Sequence, residues 1–186
     1  MKPNHTRNWT LLVLYFATIT AANIVTAAVA PLALGPLLVP AGSFLIGATF
    51  ILRDLVQNAV GRLKTYAAIG GALLLSALTS YLAGDTLWIV LASSATFVLS
   101  ETADTEIYSR LKVPFALRVL YSGIVGGAVD SVVFVLIGLS PLFSGILPWE
   151  AVGYAILGQI VVKLGMQMLG AGLIAAVPAW NRSARA

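Results

Sequence analysis

Six ionisable side chains lie within otherwise apolar stretches of this sequence: Arg53, Asp54, Glu101, Asp104, Asp130 and Lys163. A charged side chain isolated in lipid costs about 2.5–3.5 kcal/mol even on the lenient insertion scale. We therefore expect these groups to face one another or a wet cavity. Their chemistry is that of a site which binds a polar solute.

The spacing of the polar residues predicts shared helix faces. Glu101 and Asp104 are three residues apart, which places both carboxylates on one side of a helix. Gln159, Lys163 and Gln167 recur every four residues and form a polar stripe on an apolar helix. Asn23 in the first apolar segment, and Gln57 and Asn58 shortly after Asp54 in the second, can join the same network.

The number of charges leaves two interpretations open. An internal ion-pair network would fix the bundle, but it would need fewer charges than these. If all four carboxylates were ionised, Arg53 and Lys163 would compensate only two of them. The surplus carboxylates either hold protons, as buried carboxyl groups tend to, or accept hydrogen bonds from a ligand. Arg53 itself is expected to be the counter-ion of Asp54.

The composition excludes most catalytic chemistry. The chain has no cysteine, and its single histidine, His5, belongs to a polar N-terminal tail. The residues needed for thiolate, histidine–metal and Ser–His sites are therefore lacking in the apolar segments. There is also no phosphate-binding glycine loop. We expect no catalytic residue, no metal and no cofactor, and an intramembrane enzyme such as a two-aspartate protease is the disfavoured alternative.

The elements that must position these residues are membrane-spanning helices. A hydrophobic fraction of 59%, a charged fraction of 10% and a mean hydropathy of +0.95 indicate an integral membrane protein. Six apolar segments approach the roughly 20 residues that a spanning helix needs, near 9–30, 37–59, 65–82, 87–109, 115–139 and 149–180. We predict one all-α domain over residues 1–186, a compact bundle of six transmembrane helices.

Basic residues predict the orientation of this bundle. Nine of them flank the segments in alternate connections and at both termini: Lys2, Arg7, Arg62, Lys64, Arg110, Lys112, Arg118, Arg182 and Arg185. The three other connections contain no lysine or arginine. By the positive-inside rule both termini are cytoplasmic and the protein is a multi-pass protein of the cytoplasmic (inner) membrane. Because the net charge of +4 reflects this topology, we expect the lipid bilayer and no nucleic acid as partner.

Depths counted from these basic anchors predict one layer of charge. At 1.5 Å per helical residue, Asp54 and Glu101 lie about 12 and 13 Å from the cytoplasmic face, and Asp104 about 9 Å. Asp130 and Lys163 fall near the middle of the membrane by the same count. Four helices would thus bring charge to one layer between the midplane and the inner leaflet.

Small residues at steps of four indicate close helix packing. The pairs are Ala17 with Ala21 and Ser43 with Gly47, and Gly123, Gly127 and Ser131 form a longer series. We favour packing inside one bundle, with a homodimer face as the alternative.

Five short polar pieces occur in order along the chain: Ala22-Asn23-Ile24, Phe50 through Gly61, Asp104 through Leu111, Gly126 through Ser131, and Val162-Lys163. This order resembles the queuosine precursor transporters, also called the vitamin uptake transporter family, over essentially the whole membrane region. The resemblance implies transport of 7-deazaguanine precursors, notably 7-cyano-7-deazaguanine.

The implied solute suggests roles for the polar residues. A guanine-like edge presents a ring N–H beside an exocyclic amine, which one carboxylate can accept in bidentate fashion. The expected substrate-binding residues are Asn23, Asp54, Glu101, Asp104, Asp130, Gln159 and Lys163, and Arg53, Phe50, Phe97 and Tyr108 support them, the aromatic rings by stacking. A deazapurine-like small molecule is the expected partner.

Two transport functions remain open at this point. The chain is either an importer that works alone or as a homodimer, or the substrate-binding membrane subunit of a multi-component vitamin uptake system. Nothing in the sequence distinguishes the two.

Overall fold

The computed structural model describes residues 5–85 and 87–176. The elements in chain order are α1 His5–Ala28, β1 Leu32–Leu34, β2 Leu37–Val39, α2 Ser43–Val60, α3 Arg62–Leu82, α4 Leu87–Arg110, α5 Phe115–Phe134, a π-helical segment Val135–Leu139, and α6 Trp149–Ala176. The predicted all-helical class is confirmed, with one short hairpin added.

The helices pack as a closed ring. Its order is α1, α2, α6, α5, α4, α3, and α3 returns to α1. α2 also contacts α3, α4 and α5, so it leans toward the centre of the ring. This arrangement gives every helix one face toward a common interior, where polar side chains are kept away from lipid.

Four helices are long and apolar enough to cross a membrane by length and composition: Thr6–Ala28, Arg62–Leu82, Phe115–Leu139 and Trp149–Ala176. α2 and α4 fall below this level because they carry Arg53, Asp54, Glu101 and Asp104. Composition alone therefore identifies four spans among the described residues. The end of the last predicted segment, after Ala176, lies outside the described residues, as do the basic residues Lys2, Arg182 and Arg185.

The predicted start of the second span is wrong. We expected a helix near 37–59, but Leu37–Val39 form β2, which pairs antiparallel with β1. The connecting Gly35 has φ +62°, a conformation that glycine adopts without a Cβ clash and that two-residue hairpin turns require. Val39 is fully buried. The apolar run from Leu37 thus continues as a strand before the helix begins at Ser43.

The hairpin is held against α6. A Cβ built on Gly158 would lie 2.9 Å from Val39 Cγ2 and 3.2 Å from the Leu38 oxygen, so a larger residue at this position would push β2 away. The hairpin, the α3–α4 connection and the α5–α6 connection supply side chains to one apolar cavity, among them Leu38, Asp85 and Ile146. We call this end of the bundle the hairpin end.

The opposite end carries the basic residues, and we call it the basic end. Arg62 at the start of α3 forms an ion pair with Glu106 of α4, and Arg110 lies 3.1 Å from the same carboxylate. The Tyr66 hydroxyl donates to Glu106 Oε1 at 2.6 Å. These contacts join α3 to α4 at the basic end.

The small-residue pattern packs helices within the bundle, as we favoured. A Cβ on Gly47 would lie 2.7 Å from Met166 Cβ of α6, and one on Gly123 would lie 2.3 Å from Gln167. α6 can therefore approach both α2 and α5 closely. Ala17, in contrast, is exposed on α1.

Candidate solute-binding site

A polar cavity lies inside the ring, toward the hairpin end. Its volume, counted as the space that the centre of a water molecule can occupy, is about 60 Å³. This is room for roughly four to six waters. All six helices contribute to its wall, and the lining includes Asn23, Ser43, Ser76, Asp85, Ser93, Thr96, Phe97, Asp130, Gln159 and Lys163. The cavity has the size of a small solute.

A buried ion pair forms one wall of the cavity. Lys163 Nζ of α6 pairs with Asp130 Oδ2 of α5, and it also donates to Ser131 Oγ at 3.1 Å and to Gln159 Oε1 at 2.9 Å. The side chain of Lys163 is 2% exposed and that of Asp130 13%. The second carboxylate oxygen of Asp130, which Lys163 does not contact, is an acceptor position that a ligand can use.

Helix α5 packs closely against the stem of this lysine. A Cβ on Gly127 would lie 3.4 Å from Lys163 Cβ, at ordinary van der Waals distance. The next turn places Ser131 where its hydroxyl meets the ammonium. The predicted small-residue series therefore positions the ion pair as well as packing the helices.

Two buried polar atoms in the cavity wall have no hydrogen-bond partner among the described residues. They are Nε2 of Gln159 and Oγ1 of Thr96, and both side chains are 2% exposed. Helical threonines elsewhere in the chain, such as Thr65 and Thr79, donate to a carbonyl four residues back. A buried polar group left unpaired costs about 1–3 kcal/mol, so a solute or a water that came within reach of either atom would remove that cost.

Thr96 was missed by our sequence reasoning. A lone threonine in an apolar helix has no distinguishing spacing, because its hydroxyl usually bonds its own backbone. The available signal was its position eight residues before Asp104, about two turns along the same helix face.

Asn23 connects the cavity wall to α3. Its amide nitrogen donates to the Ser76 oxygen at 3.0 Å, to Ser76 Oγ at 3.0 Å and to Thr79 Oγ1 at 2.8 Å. The two N–H groups of Nδ2 are shared among these three acceptors, so the carbonyl oxygen of Asn23 is the group left to accept. The predicted Asn23 thus lies at the cavity.

The second ionic group surrounds Arg53 and does not line this cavity. Arg53 Nη2 of α2 lies 2.7 Å from Asp54 Oδ1 and contacts Asp104 Oδ2 of α4, while Nε lies 3.5 Å from Glu101 Oε2. All four side chains are at most 1% exposed. Several of these atoms meet by charge contact without a well-aligned hydrogen bond. We call these four residues the Arg53 cluster.

Neighbouring hydroxyl and amide groups complete the Arg53 cluster. Arg53 Nη1 donates to Thr105 Oγ1 at 2.6 Å and to Gln57 Oε1 at 3.3 Å. The Ser122 hydroxyl of α5 lies 3.4 Å from Asp54 Oδ2. The guanidinium therefore joins α2 to α4, and the Asp54 carboxylate joins α5 through Ser122.

The aromatic residues predicted to stack on a solute have different surroundings. Phe97 lines the cavity and belongs to the apolar cluster with Tyr15 and Val56. Tyr108 contacts Phe115 edge to face. The guanidinium of Arg118 lies over the ring of Tyr108, with its Cζ 4.1 Å from the ring centroid. Phe50 is buried in α2 away from the cavity lining. Of these three predicted rings only Phe97 lines the cavity, and Phe134 of α5, which the sequence did not single out, lines it as well.

The predicted residues thus divide into two layers. Asn23, Asp130, Gln159 and Lys163 gather with Phe97 around the cavity, whereas Asp54, Glu101 and Asp104 gather around Arg53 nearer the basic end. Phe97 and Glu101 are one helical turn apart on α4, about 6 Å along the axis. Among residues 5–85 and 87–176, no group of three or more histidine, aspartate or glutamate side chains is arranged to hold a metal ion.

Comparison with known proteins identifies the family. Residues 40–177 match the family described as "Putative vitamin uptake transporter". Searches of curated proteins and of solved structures give no match. Four of the five polar pieces lie within the matched residues, and Ala22-Asn23-Ile24 precedes them. The predicted resemblance is confirmed: this multi-pass membrane protein belongs to the vitamin uptake transporter family.

Proposed function

We propose that this chain imports a small polar heterocycle across the cytoplasmic membrane, and that the solute is a queuosine precursor such as 7-cyano-7-deazaguanine. The observation that carries the proposal is the pair of unpaired buried atoms, Gln159 Nε2 and Thr96 Oγ1, in the wall of a solute-sized cavity. A solute that pairs with both removes the cost of leaving them unsatisfied.

The groups around the cavity match the edges of such a heterocycle. Asp130 can accept from ring N–H and exocyclic amine groups with lone pairs that Lys163 does not occupy. Gln159 Nε2, which has no partner among the described residues, can donate to a carbonyl or nitrile, whereas the three N–H groups of Lys163 already have partners in Asp130, Ser131 and Gln159. Phe97 offers an aromatic face for stacking. Every polar edge of the solute would then have a partner.

The Arg53 cluster has a supporting role in this proposal. It holds α2 and α4 together below the cavity, with Asp54, Glu101 and Asp104 as partners of one guanidinium. Because these charges point into the ring and are buried, α2 and α4 can cross the membrane with α1, α3, α5 and α6. This supports the six-span arrangement, and α2 alone is about 27 Å long by helical rise.

The orientation follows from the basic end. Arg62, Lys64, Arg110, Lys112 and Arg118 lie there, so we place it, with both termini, on the cytoplasmic side. The hairpin end and the cavity then face outward, which is the state an importer needs to collect solute.

The test is uptake of labelled 7-cyano-7-deazaguanine into cells that cannot synthesise it and that receive only this chain. We expect uptake from the parent chain and a loss of roughly 10–150-fold in Lys163→Met and Asp130→Asn, the range for a lost hydrogen bond to a charged group. Arg62→Met is the matched control, because Arg62 is a half-exposed cation at the basic end.

The outcomes separate the alternatives. Normal uptake by both Asp130→Asn and Lys163→Met would show that the cavity is not the binding site. If no deazapurine is taken up but another small heterocycle is, the chain is still a transporter and the proposed solute is wrong. Uptake that appears only when an ATPase partner is also supplied would identify the chain as the binding subunit of a multi-component system.

A further inference from the structure

A larger apolar cavity adjoins the polar one at the hairpin end. By the same measure its volume is about 330 Å³. The two cavities share five lining residues, Thr26, Pro40, Asp85, Ile89 and Phe134. A solute that enters through the larger cavity must therefore pass these residues, of which Asp85 is the one with a charge.

Asp85 is fixed where the two cavities meet. The Ser80 hydroxyl donates to Asp85 Oδ2, and the Asp85 N–H donates to the Ser80 oxygen at 3.3 Å. Within the described parts of the chain, no lysine or arginine forms an ion pair with this carboxylate, whereas Asp130 pairs with Lys163. The described cavity wall thus holds two carboxylates and one ammonium, and Asp85 contributes the uncompensated negative charge.

We propose that Asp85 is a charge-selecting residue at the entrance to the solute cavity, which admits neutral or cationic solutes that donate hydrogen bonds and rejects anions. The proposal rests on the proposed function, because it assumes that the solute reaches the cavity from the hairpin end. A fixed charge beside a narrow, low-dielectric passage repels like charge far more strongly than it does in water. A carboxylate at this position also accepts hydrogen bonds from an arriving solute.

A purely structural role for Asp85 is the competing explanation. Asp85 closes the α3–α4 connection through Ser80, and loss of this closure would disturb the mouth of the cavity. Asp85→Asn distinguishes the two roles, because the amide keeps an oxygen that can accept from Ser80 while the charge is lost. Glu150→Gln is the matched control, since Glu150 is an exposed acid at the start of α6, on the same end of the bundle and outside both cavity linings.

The electrostatic potential can be measured without transport. The chain has no cysteine, so Ser93→Cys places one thiol in the cavity wall. Its rate of modification is compared for two methanethiosulfonate reagents of similar size, one with a trimethylammonium group and one with a sulfonate. In purified protein we expect faster modification by the cationic reagent, and we expect Asp85→Asn to lower the cation-to-anion rate ratio about tenfold.

The result with the control decides the proposal. Glu150→Gln should leave the rate ratio unchanged. An equal ratio in Ser93→Cys with and without Asp85→Asn, or an equal fall with Glu150→Gln, would overturn the role of Asp85 in charge selection. Raised salt should weaken the preference of the parent for the cationic reagent, because Asp85 is partly exposed.

Transport selectivity then tests the same residue in function. Anionic analogues should compete poorly with heterocycle uptake by the parent chain and about tenfold better in Asp85→Asn. Competition that changes equally for anionic, neutral and cationic analogues would contradict the proposal. If no heterocycle is taken up but Asp85→Asn still shifts the thiol rate ratio, the proposed solute fails while the charge selection at the cavity stands.

Discussion

Two ionic groups lie one above the other inside the same ring of helices, and their surroundings differ. The Lys163–Asp130 pair lines a cavity, and its lysine also bonds Ser131 and Gln159. The Arg53 cluster is closed, with one guanidinium against three carboxylates and no more than 1% exposure of any side chain. Burial of a charge inside a membrane protein therefore does not by itself identify a binding site.

The difference lies in what a ligand could reach. Around the cavity, unpaired atoms of Gln159 and Thr96 belong to the wall of an open space. Around Arg53, three of the four unpaired carboxylate oxygens, those of Asp54, Glu101 and Asp104 Oδ2, are already in charge contact with the guanidinium. We infer that the first group is available for binding and that the second holds the helices together, and the variants below test this division.

The largest effect is expected from Arg53→Met. Removal of the guanidinium leaves three closely packed carboxylates without a counter-ion, and breaking a buried pair in this way costs about 3–5 kcal/mol of the free energy of unfolding. Thermal unfolding of the purified protein in detergent should show a large fall in midpoint together with a poor yield.

Arg62→Met provides the control for Arg53→Met. Arg62 also pairs with a carboxylate of α4, but its side chain is 52% exposed, so its loss should change the unfolding midpoint far less than the loss of Arg53. An Arg53→Met protein that unfolds like the parent but transports no solute would reverse our division, since the guanidinium would then act on the solute.

Much of this arrangement follows from the sequence. The polar stripe of Gln159 and Lys163 and the glycine series of α5 depend on local spacing, and they correctly identify the inward faces of α6 and α5. The orientation that the basic residues indicate stays a prediction. The predicted start of α2 is wrong because the apolar run Leu37–Val39 fits a buried strand as well as a helix. The packing of this run against Gly158 of α6 favours the strand.

The division into two layers could not be predicted in the same way. Depth counted along each helix places Asp54 and Asp130 only about 6 Å apart, and it contains no information on which side chains meet across helices. The ring order, in which α2 faces α4 through Arg53 and α6 faces α5 through Lys163, decides the partners.

Two threonines on α4 give the next test of the comparison. Thr105 accepts from Arg53 at 2.6 Å, whereas Thr96 has no partner among the described residues. Thr105→Val should therefore lower the free energy of unfolding by about 1.5–3 kcal/mol, the range for a hydrogen bond to a charged group. Thr96→Val should leave stability unchanged or raise it slightly, because it removes an unsatisfied buried hydroxyl, while solute affinity falls a few-fold.

The measurement for both threonine variants is thermal unfolding with and without solute, so that stability and binding are read from one sample. Ligand that binds only the folded state raises the unfolding midpoint, and this rise should shrink in Thr96→Val alone. A loss of stability in Thr96→Val equal to that in Thr105→Val would mean that both hydroxyls serve packing.

The smallest effects are expected from two glutamines eight residues apart on α6. Gln167 Nε2 donates to the Gly47 oxygen at 3.1 Å, and Gln159 Nε2 lines the cavity without a partner among the residues described. Gln167→Leu should lower the free energy of unfolding by about 0.5–1.5 kcal/mol and leave the KM of uptake unchanged. Gln159→Leu should raise KM by roughly 2–12-fold, the same range of free energy expressed as affinity, and it should also lower the free energy of unfolding, because Gln159 Oε1 accepts from Lys163 Nζ at 2.9 Å and this bond is lost. An equal change of KM in the two variants would contradict this division. The polar stripe of α6 would then act as one unit, and the binding site would extend beyond the cavity to Gln167.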